Sequence, residues 1–293
     1  MPTLTNGIKS RTATAYRSCK RIWRELSLIG RTATVILIIL TVMALFAPQL
    51  TWHPADASSG PALASPGGTH LLGTDDLGYD LWSMICYGAR TSLLVGLGTA
   101  LLAGLGGSIL GIAAAFRGGW LERIIMRLVD IMIVLPDLPV MIILAAFFGP
   151  SVRNIIIVLV LFSWAGPARL IRSQALMLKE QPYIKMAAHY GGSFFYLLKR
   201  HFFPELLPLL TVSMIRLAGM AVITEASLSF LGLGDPTSRS WGLIINHAVS
   251  FSGIYFTPFW KWWLLYPWLF LTLLVVSLAL IGRETERLAD PRL

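Results

Sequence analysis

The sequence predicts an all-α integral membrane protein with six transmembrane helices. Of its 293 residues, 55% are hydrophobic and only 13% are charged, and the mean hydropathy is +0.68. A soluble domain carries about 25% charged residues. Several apolar runs approach or exceed the roughly 18 residues that a helix needs to cross a bilayer. The apolar–polar alternation of a transmembrane barrel is absent from the sequence.

The predicted spans follow the apolar runs in order. The first covers residues 32–50, and the others cover 89–116, 124–149, 152–172, 205–234 and 263–282. Residues 51–88 form the first outer loop and residues 283–293 the C-terminal tail. The second span contains six glycines, which are typical of helices in close contact: Gly96, Gly98, Gly104, Gly106, Gly107 and Gly111.

The distribution of charge sets the orientation. Residues 1–31 contain seven Lys or Arg residues and one acid, Glu25, whereas residues 51–88 contain four aspartates and neither Lys nor Arg. Because Lys and Arg accumulate in cytoplasmic segments, we expect both termini in the cytoplasm and the 51–88 loop outside. The net charge of +9 lies in segments between apolar runs, so the sequence does not indicate nucleic-acid binding.

Polar residues within the spans are candidates for function, since a charge in the membrane is costly. Arg216 and Glu225 are nine residues apart and fall on opposite faces of one helix, so each needs another partner or a water-filled cavity. Asp137 lies in the sequence LPDLP, where either a bend lining a pathway or a packed kink would fit. Asp130 follows Arg127 by three residues, which predicts a local ion pair.

The sequence predicts neither a catalytic residue nor a metal site. It contains no nucleotide-binding G-x-x-x-x-G-K-[ST], no G-x-S-x-G and no H-E-x-x-H. The histidines at 53, 70, 189, 201 and 247 are scattered over both predicted sides and suggest no cluster. Cys19 and Cys86 are predicted to face opposite compartments, so they cannot pair.

The segment Lys185–Pro208, which lies between two predicted spans on the side predicted to be cytoplasmic, is unusual because it is basic and contains several small residues. Ala187 and Gly191 are four residues apart, as are Ala188 and Gly192, which predicts a flank nearly free of side chains that another surface could approach closely. The two adjacent glycines also predict that the helix ends at a bend. A surface helix lying on lipid headgroups is the alternative.

This segment together with the two residues before it, YIKMAAHYGGSFFYLLKRHFFPELLP (183–208), resembles the EAA loop of type I ABC-importer permeases. Gly191 and Pro204 occupy the matching positions, whereas Lys185 and Met186 stand where that family has Glu and its first Ala. Other stretches resemble the C-type permease subunit of dipeptide/oligopeptide/nickel importers. They are HLLGTDDLGYDLWS (70–83), YGARTSLLVG (87–96), FRGGWLERIIMRLVDI (116–131), EASLSFLGLGDP (225–236) and the ending ERLADPRL.

The resemblance also covers an outer motif, Gly73, Thr74, Asp75, Gly78 and Asp80, which in relatives lies near the binding protein. Tyr79 stands where the family usually has Arg. A guanidinium contact at that position therefore cannot be carried over from the family.

The resemblance implies a type I permease domain over 89–282 in a bacterial inner membrane, with a cytoplasmic coupling helix. The implied partners are a second permease, two ABC ATPases of unspecified identity, an extracytoplasmic solute-binding protein and the lipid bilayer. ATP and Mg²⁺ would bind the ATPases, and this chain would bind no cofactor.

The resemblance implies short peptides as cargo, with nickel or a metal chelate as the alternative. A more distant alternative is a stand-alone secondary transporter that uses Arg216, Glu225 and Asp137 as an ion relay.

Overall fold

The computed structural model describes residue 23 and residues 25–289, so most of the basic N-terminal segment and the last four residues lie outside it. Regular structure in the described part is helical, apart from one isolated bridge between Thr74 and Asp80. The all-α prediction is confirmed. The α-helices are α1 (Leu28–Leu45), α2 (Ala47–Leu50), α3 (Leu81–Arg117), α4 (Gly119–Val134), α5 (Asp137–Phe148), α6 (Val152–Ser163), α7 (Ala165–Lys179), α8 (Pro182–His189), α9 (Phe194–Leu197), α10 (Phe203–Phe230), α11 (Trp241–Ser250), α12 (Trp260–Trp263) and α13 (Leu265–Ala289).

Within the described residues, five helical stretches are long and apolar enough to cross a membrane. They are Leu28–Leu45, Leu81–Arg117, Val152–Lys179, Leu198–Phe230 and Trp260–Leu288. The third combines α6 and α7, and the fourth begins with a π-helical segment, Leu198–Phe202, that leads into α10. Helices α4 and α5 form a sixth span if the bent pair crosses as one unit.

The predicted third span, 124–149, differs from a single helix because α4 and α5 meet at an angle of 94°. Leu135 has extended backbone angles (φ −64°, ψ 137°), and Pro136 follows it. A residue before proline is disfavoured in the helical region, and proline has no amide hydrogen to donate. The chain therefore leaves the helix at Leu135 and resumes it at Asp137.

The second span begins at Leu81, eight residues before the predicted start. Asp80 caps this helix: its Oδ2 accepts a hydrogen bond of 2.9 Å from the backbone N–H of Ser83. Such a cap satisfies an amide that the first turn leaves without a helical partner. The helix consequently extends beyond the apolar run on its outer side.

Helix α3 lies at the centre of the bundle, between α7 and α10. Its glycines make this close packing possible, as predicted for small residues in membrane helices. A Cβ atom added at Gly111 would collide with the carbonyl oxygen of Ala168 in α7, and one at Gly96 would meet Val222 of α10.

The beginning of α1 and the end of α13 lie side by side. The hydroxyl of Ser27 donates a 2.6 Å hydrogen bond to Glu284 Oε1, and the Ser27 amide donates to Oε2 at 3.2 Å. The two ends of the described part of the chain therefore lie at the same end of the bundle. That this end is cytoplasmic remains the prediction from charge.

Candidate functional site: the cytoplasmic loop, the outer loop and the broken span

The segment that the charge pattern predicts to be cytoplasmic forms α8 and then turns sharply. The amide of Tyr190 donates to the Met186 carbonyl and that of Gly192 to the Ala187 carbonyl, both at 3.0 Å. Gly191 has φ +81°, a left-handed conformation that other residues adopt only with strain. The predicted end of the helix at the two glycines is confirmed.

The prediction of one helix flank nearly free of side chains is wrong. It required Gly191 and Gly192 to continue the helical faces of Ala187 and Ala188, but α8 ends at His189. Ala187 is partly buried and packs against a hydrophobic cluster of the chain itself. The small residues therefore do not combine into one outward surface.

The exposed face of α8 carries larger side chains. Ile184 is buried, whereas Met186 is 53% exposed and Tyr190, just beyond the helix, is 82% exposed. Lys185 lies on the exposed side, where its Nζ contacts Glu180 Oε2 at 2.6 Å. This contact lowers the pKa of the Glu180 carboxyl. A partner would therefore meet an apolar Met–Tyr surface beside a paired Lys and Glu.

Helix α8 is tied to the first turn of α10. The hydroxyl of Tyr183 donates to the carboxylate of Glu205, and this hydrogen bond is the main cause that raises the pKa of Tyr183 to about 12. Pro204 is the second residue of α10 and directly follows the π-helical segment, in which the backbone hydrogen bonding departs from the α-helical pattern. The wide π turn just before it joins α9 to α10 without a gap.

The outer motif organises the folded part of the 51–80 loop. Thr74 donates to the Pro61 carbonyl at 2.6 Å and accepts from the Ala64 amide at 2.8 Å. Asp75 Oδ1 accepts from two backbone amides, those of Leu77 and Tyr79, at 2.9 and 2.8 Å. Burial is the largest influence on Asp75 and raises the pKa of its carboxyl.

The two motif glycines permit the turns of this loop. Gly73 and Gly78 have φ +83° and +80°. At Gly78 an added Cβ would also collide with the carbonyl oxygen of Gly60. These positions therefore require glycine for both backbone conformation and space.

The outer motif also contacts a guanidinium group that the sequence did not predict. The Arg239 guanidinium carbon lies 4.9 Å from the centre of the Tyr79 ring, a cation–π distance. Arg239 belongs to the connection between α10 and α11. The loop that lacks the family's arginine thus faces an arginine from another part of the chain.

The prediction that the histidines form no cluster is wrong for two of them. The rings of His53 and His70 are 4.6 Å apart, and His70 Nδ1 lies 2.9 Å from Asp80 Oδ1. Seventeen residues separate the two histidines in sequence. Only the folding of the loop brings them together, so no local spacing signalled the contact.

The intramembrane candidates are not brought together. Arg216 pairs with Glu286 of α13 at 2.6 Å, with both side chains largely exposed. Glu225 is 1% exposed and accepts a 2.7 Å hydrogen bond from Ser229 through Oε1. Oε2 has no hydrogen-bond partner among the described residues. Arg216 and Glu225 thus contact different neighbours, as their positions on opposite helix faces predicted.

Asp137 lies in a cavity at the break between α4 and α5, which we name the bend cavity. Its volume is about 480 Å³. Its polar lining consists of Asp137 and three hydroxyl residues, Ser163, Thr224 and Ser227, while the remainder is apolar. Irregular backbone at membrane depth is tolerated where it lines a cavity. Asp137 therefore lines a cavity at the bend.

The local pair predicted for Asp130 and Arg127 is replaced by contacts between helices. Asp130 of α4 binds Arg169 of α7. Glu122, about two turns before Asp130 in α4, binds Arg172, about one turn after Arg169 in α7. These pairs join α4 to α7, and sequence spacing alone could not reveal them because the partners are 39 and 50 residues apart.

Comparison with known proteins decides the family. Residues 107–293 match the family described as "binding-protein-dependent transport system inner membrane component". The chain belongs to this family. It is a multi-pass permease component of the membrane, and the predicted resemblance is confirmed.

Individual relatives match this sequence over nearly its whole length. The chain is 34% identical over 282 residues to a putative peptide transport system permease protein of Brucella suis, covering 94% of this chain and 91% of the relative. It is 33% identical to the dipeptide transport system permease protein DppC of Bacillus subtilis, covering 92% and 85%. It is 32% identical to the glutathione transport system permease protein GsiD of Pectobacterium atrosepticum, covering 94% and 93%.

Proposed function

We propose that this chain is one permease subunit of an ATP-driven importer for short peptides. The names of its relatives support this cargo, since they specify peptide, dipeptide and glutathione transport. Those names do not favour nickel, the alternative cargo expected from the resemblance. The alternative of a stand-alone secondary transporter has no structural support either. Its ion relay would need Arg216, Glu225 and Asp137 close together, but they occupy separate environments.

The partners follow from the family. A binding-protein-dependent permease works with an ATPase and a substrate-binding protein. We propose two ATPase chains that carry the ATP and Mg²⁺, and a second permease that completes the pathway. The binding protein would approach the outer side near Gly73–Asp80, and both termini of this chain would lie in the cytoplasm.

The observation that carries the mechanism is the tie between α8 and α10. The exposed Met186 and Tyr190 would sit on an ATPase subunit. Movement of that subunit would pass through Tyr183 and Glu205 into α10. Helix α10 also lines the bend cavity, so displacement of the cytoplasmic loop would reach the proposed pathway through a single helix.

The bend cavity would form this chain's half of the peptide pathway. The Asp137 carboxylate can accept hydrogen bonds from a peptide's ammonium or amide groups. The hydroxyls of Thr224 and Ser227 already donate to carbonyls of their own helix, at 2.9 Å each, so their oxygens face a substrate as acceptors. The apolar remainder would tolerate different peptide side chains.

The test is Gly191→Arg in the assembled transporter, with uptake of a labelled dipeptide and ATP hydrolysis measured together in proteoliposomes. Gly191 has open space around it, so no neighbour blocks the arginine side chain, but the φ of +81° is strained for arginine and the substitution therefore alters the turn that presents Met186 and Tyr190. We expect normal assembly and a loss of uptake of roughly tenfold or more, equivalent to about 1.4 kcal/mol of coupling.

Gly149→Arg is the matched control. Gly149 also has a positive φ, +82°, and open surroundings, but it lies in the turn between α5 and α6. We expect it to retain uptake. Normal uptake and normal substrate-stimulated hydrolysis in Gly191→Arg would contradict the coupling role, and transport by the purified chain without ATP would contradict the proposed function.

A further inference from the structure

The outer loop brings together three potential metal ligands. One nitrogen from each of His53 and His70 and a carboxylate oxygen of Asp80 all lie within 4.8 Å of one another. His70 and Asp80 are 4% and 2% exposed, and His53 is half-buried. We propose that these residues bind a divalent first-row transition-metal ion of the Zn²⁺ type, which fastens the outer loop.

The hydrogen bond of the His53 ring leaves one ring nitrogen available to bind a metal ion. Its Nε2 lies 2.9 Å from the carbonyl oxygen of Thr69. A carbonyl oxygen can only accept, so Nε2 carries the hydrogen and a neutral ring has its lone pair on Nδ1. Metal-binding histidines commonly donate their second ring N–H to a carbonyl in this way, which fixes the tautomer.

The second and third ligands are adjacent. His70 Nδ1 and Asp80 Oδ1 are 2.9 Å apart, and with metal–ligand bonds of about 2.0–2.1 Å they would subtend roughly a right angle at one ion. A shift of about half an ångström would open this angle to the tetrahedral value. On binding, the ion would replace the hydrogen now shared between these atoms, and that proton would move to Nε2 of the His70 ring or be released to water.

The backbone around the ligands is already ordered. Asp80 Oδ2 accepts from both the amide and the hydroxyl of Ser83, at 2.9 and 2.8 Å. The same hydroxyl oxygen also lies 2.9 Å from the His53 carbonyl oxygen, so its single hydrogen is shared between Asp80 and this carbonyl. The carbonyl of His70 accepts from the amides of Gly67 and Gly73. The three ligands therefore hold their positions without depending on the ion.

Charge and donor type select the kind of ion. Residues 51–80 contain four aspartates and no Lys or Arg, so the surroundings favour a cation. Two imidazoles and one carboxylate suit Zn²⁺, Ni²⁺ or Cu²⁺ better than Mg²⁺ or Ca²⁺, which prefer oxygen ligands. Three protein ligands leave one position for water on the half-exposed side of His53.

The proposed ion would join three separate points of the outer loop. His53 follows α2, His70 lies in the middle of the loop, and Asp80 caps the start of α3. An ion held by all three would cross-link the segment that presents Gly73 and Gly78. Its predicted effect is on the stability of the loop, and it is distinct from the transported cargo.

The experiment titrates Zn²⁺ into the purified, chelator-treated transporter by calorimetry, and Co²⁺ into a parallel sample to record the visible spectrum of an N/O site. We expect one saturable Zn²⁺ per copy of this chain and a higher thermal midpoint. His53→Gln should weaken binding by roughly tenfold or more. His247→Gln, which changes an exposed histidine of α11, should leave it unchanged.

These measurements distinguish metal binding by the three residues from a structural hydrogen bond between His70 and Asp80 alone. His53→Gln leaves the His70–Asp80 contact in place, so its folding can be checked independently of the metal. Absence of saturable Zn²⁺ binding in the wild type would overturn the proposal. Equal binding by wild type and His53→Gln would also overturn it, because the ion would then lie elsewhere. Dipeptide uptake measured in the same samples tests the proposed function separately.

Discussion

Glu225 shows how one polar residue can be accommodated where three helices meet. On one side its neighbour Val222 packs against Gly96 of α3, and on the other Ala226 lies against Gly242 of α11. Its carboxyl group accepts a hydrogen bond from Ser229, the Ser240 hydroxyl is close enough to interact with it, and no cation acts on it within the described residues. A buried charge without a partner is costly. The geometry therefore assigns Glu225 to packing and hydrogen bonding rather than to an ion relay.

Replacement of Glu225 should distinguish these two roles. Glu225→Gln keeps the shape and the acceptor for Ser229, so we expect stability within about 1 kcal/mol of wild type and normal uptake. Glu225→Ala removes the acceptor and leaves a void, which should lower stability by roughly 1–3 kcal/mol. Thermal melting of the purified transporter measures both. Loss of uptake in a stably folded Glu225→Gln variant would restore the relay hypothesis.

At the scale of elements, the hydrogen bond between Tyr183 and Glu205 joins α8 directly to α10. Tyr183 has its pKa raised above the usual value of a tyrosine, so its hydroxyl stays protonated as a donor. The stabilisation is fully present below about pH 10 and is lost as the pH rises through about 12. The hydrogen bond between Tyr183 and Glu205 is therefore retained over the physiological pH range.

Tyr183→Phe removes this link with little change in shape. We expect hydrolysis of ATP to continue while uptake per ATP falls by roughly two- to tenfold, corresponding to about 0.5–1.5 kcal/mol for one hydrogen bond. Paired uptake and hydrolysis assays in proteoliposomes give the ratio. Tyr196→Phe is the control, since no hydrogen bond of its hydroxyl is formed within the described residues. An unchanged ratio in Tyr183→Phe would exclude Tyr183 as the link.

The same elements show what sequence could and could not predict. Apolar runs fix the positions of the spans, and two adjacent glycines fix the end of α8, because both signals are local. The 94° bend depends on how α4 and α5 pack after the chain leaves Leu135. The direction of Ala187 depends on the cluster beneath α8. Contacts between distant residues, such as His53 with His70, follow from loop folding and have no local signature.

For the whole molecule, the arrangement of charge and the pairing of the chain ends lead to one topology. The contact of Ser27 with Glu284 places both ends on one side. Arg169, Arg172 and Lys179 are spread along α7, with Lys179 as its last residue, while the 51–80 loop carries only acidic charge. Cytoplasmic enrichment of Lys and Arg therefore predicts α8 inside the cell and the outer motif outside.

Single cysteines at two exposed positions test this topology directly. Native Cys86 is fully buried, and Cys19 can be replaced by serine. In this background, Ala57→Cys in the 51–80 loop should react with a membrane-impermeant maleimide on intact spheroplasts. Gln181→Cys, just before α8, should react only after the membrane is permeabilised. Both positions are exposed, so a difference in labelling reports the side of the membrane. The reverse pattern would place α8 outside, away from any ATPase, and would contradict the coupling mechanism.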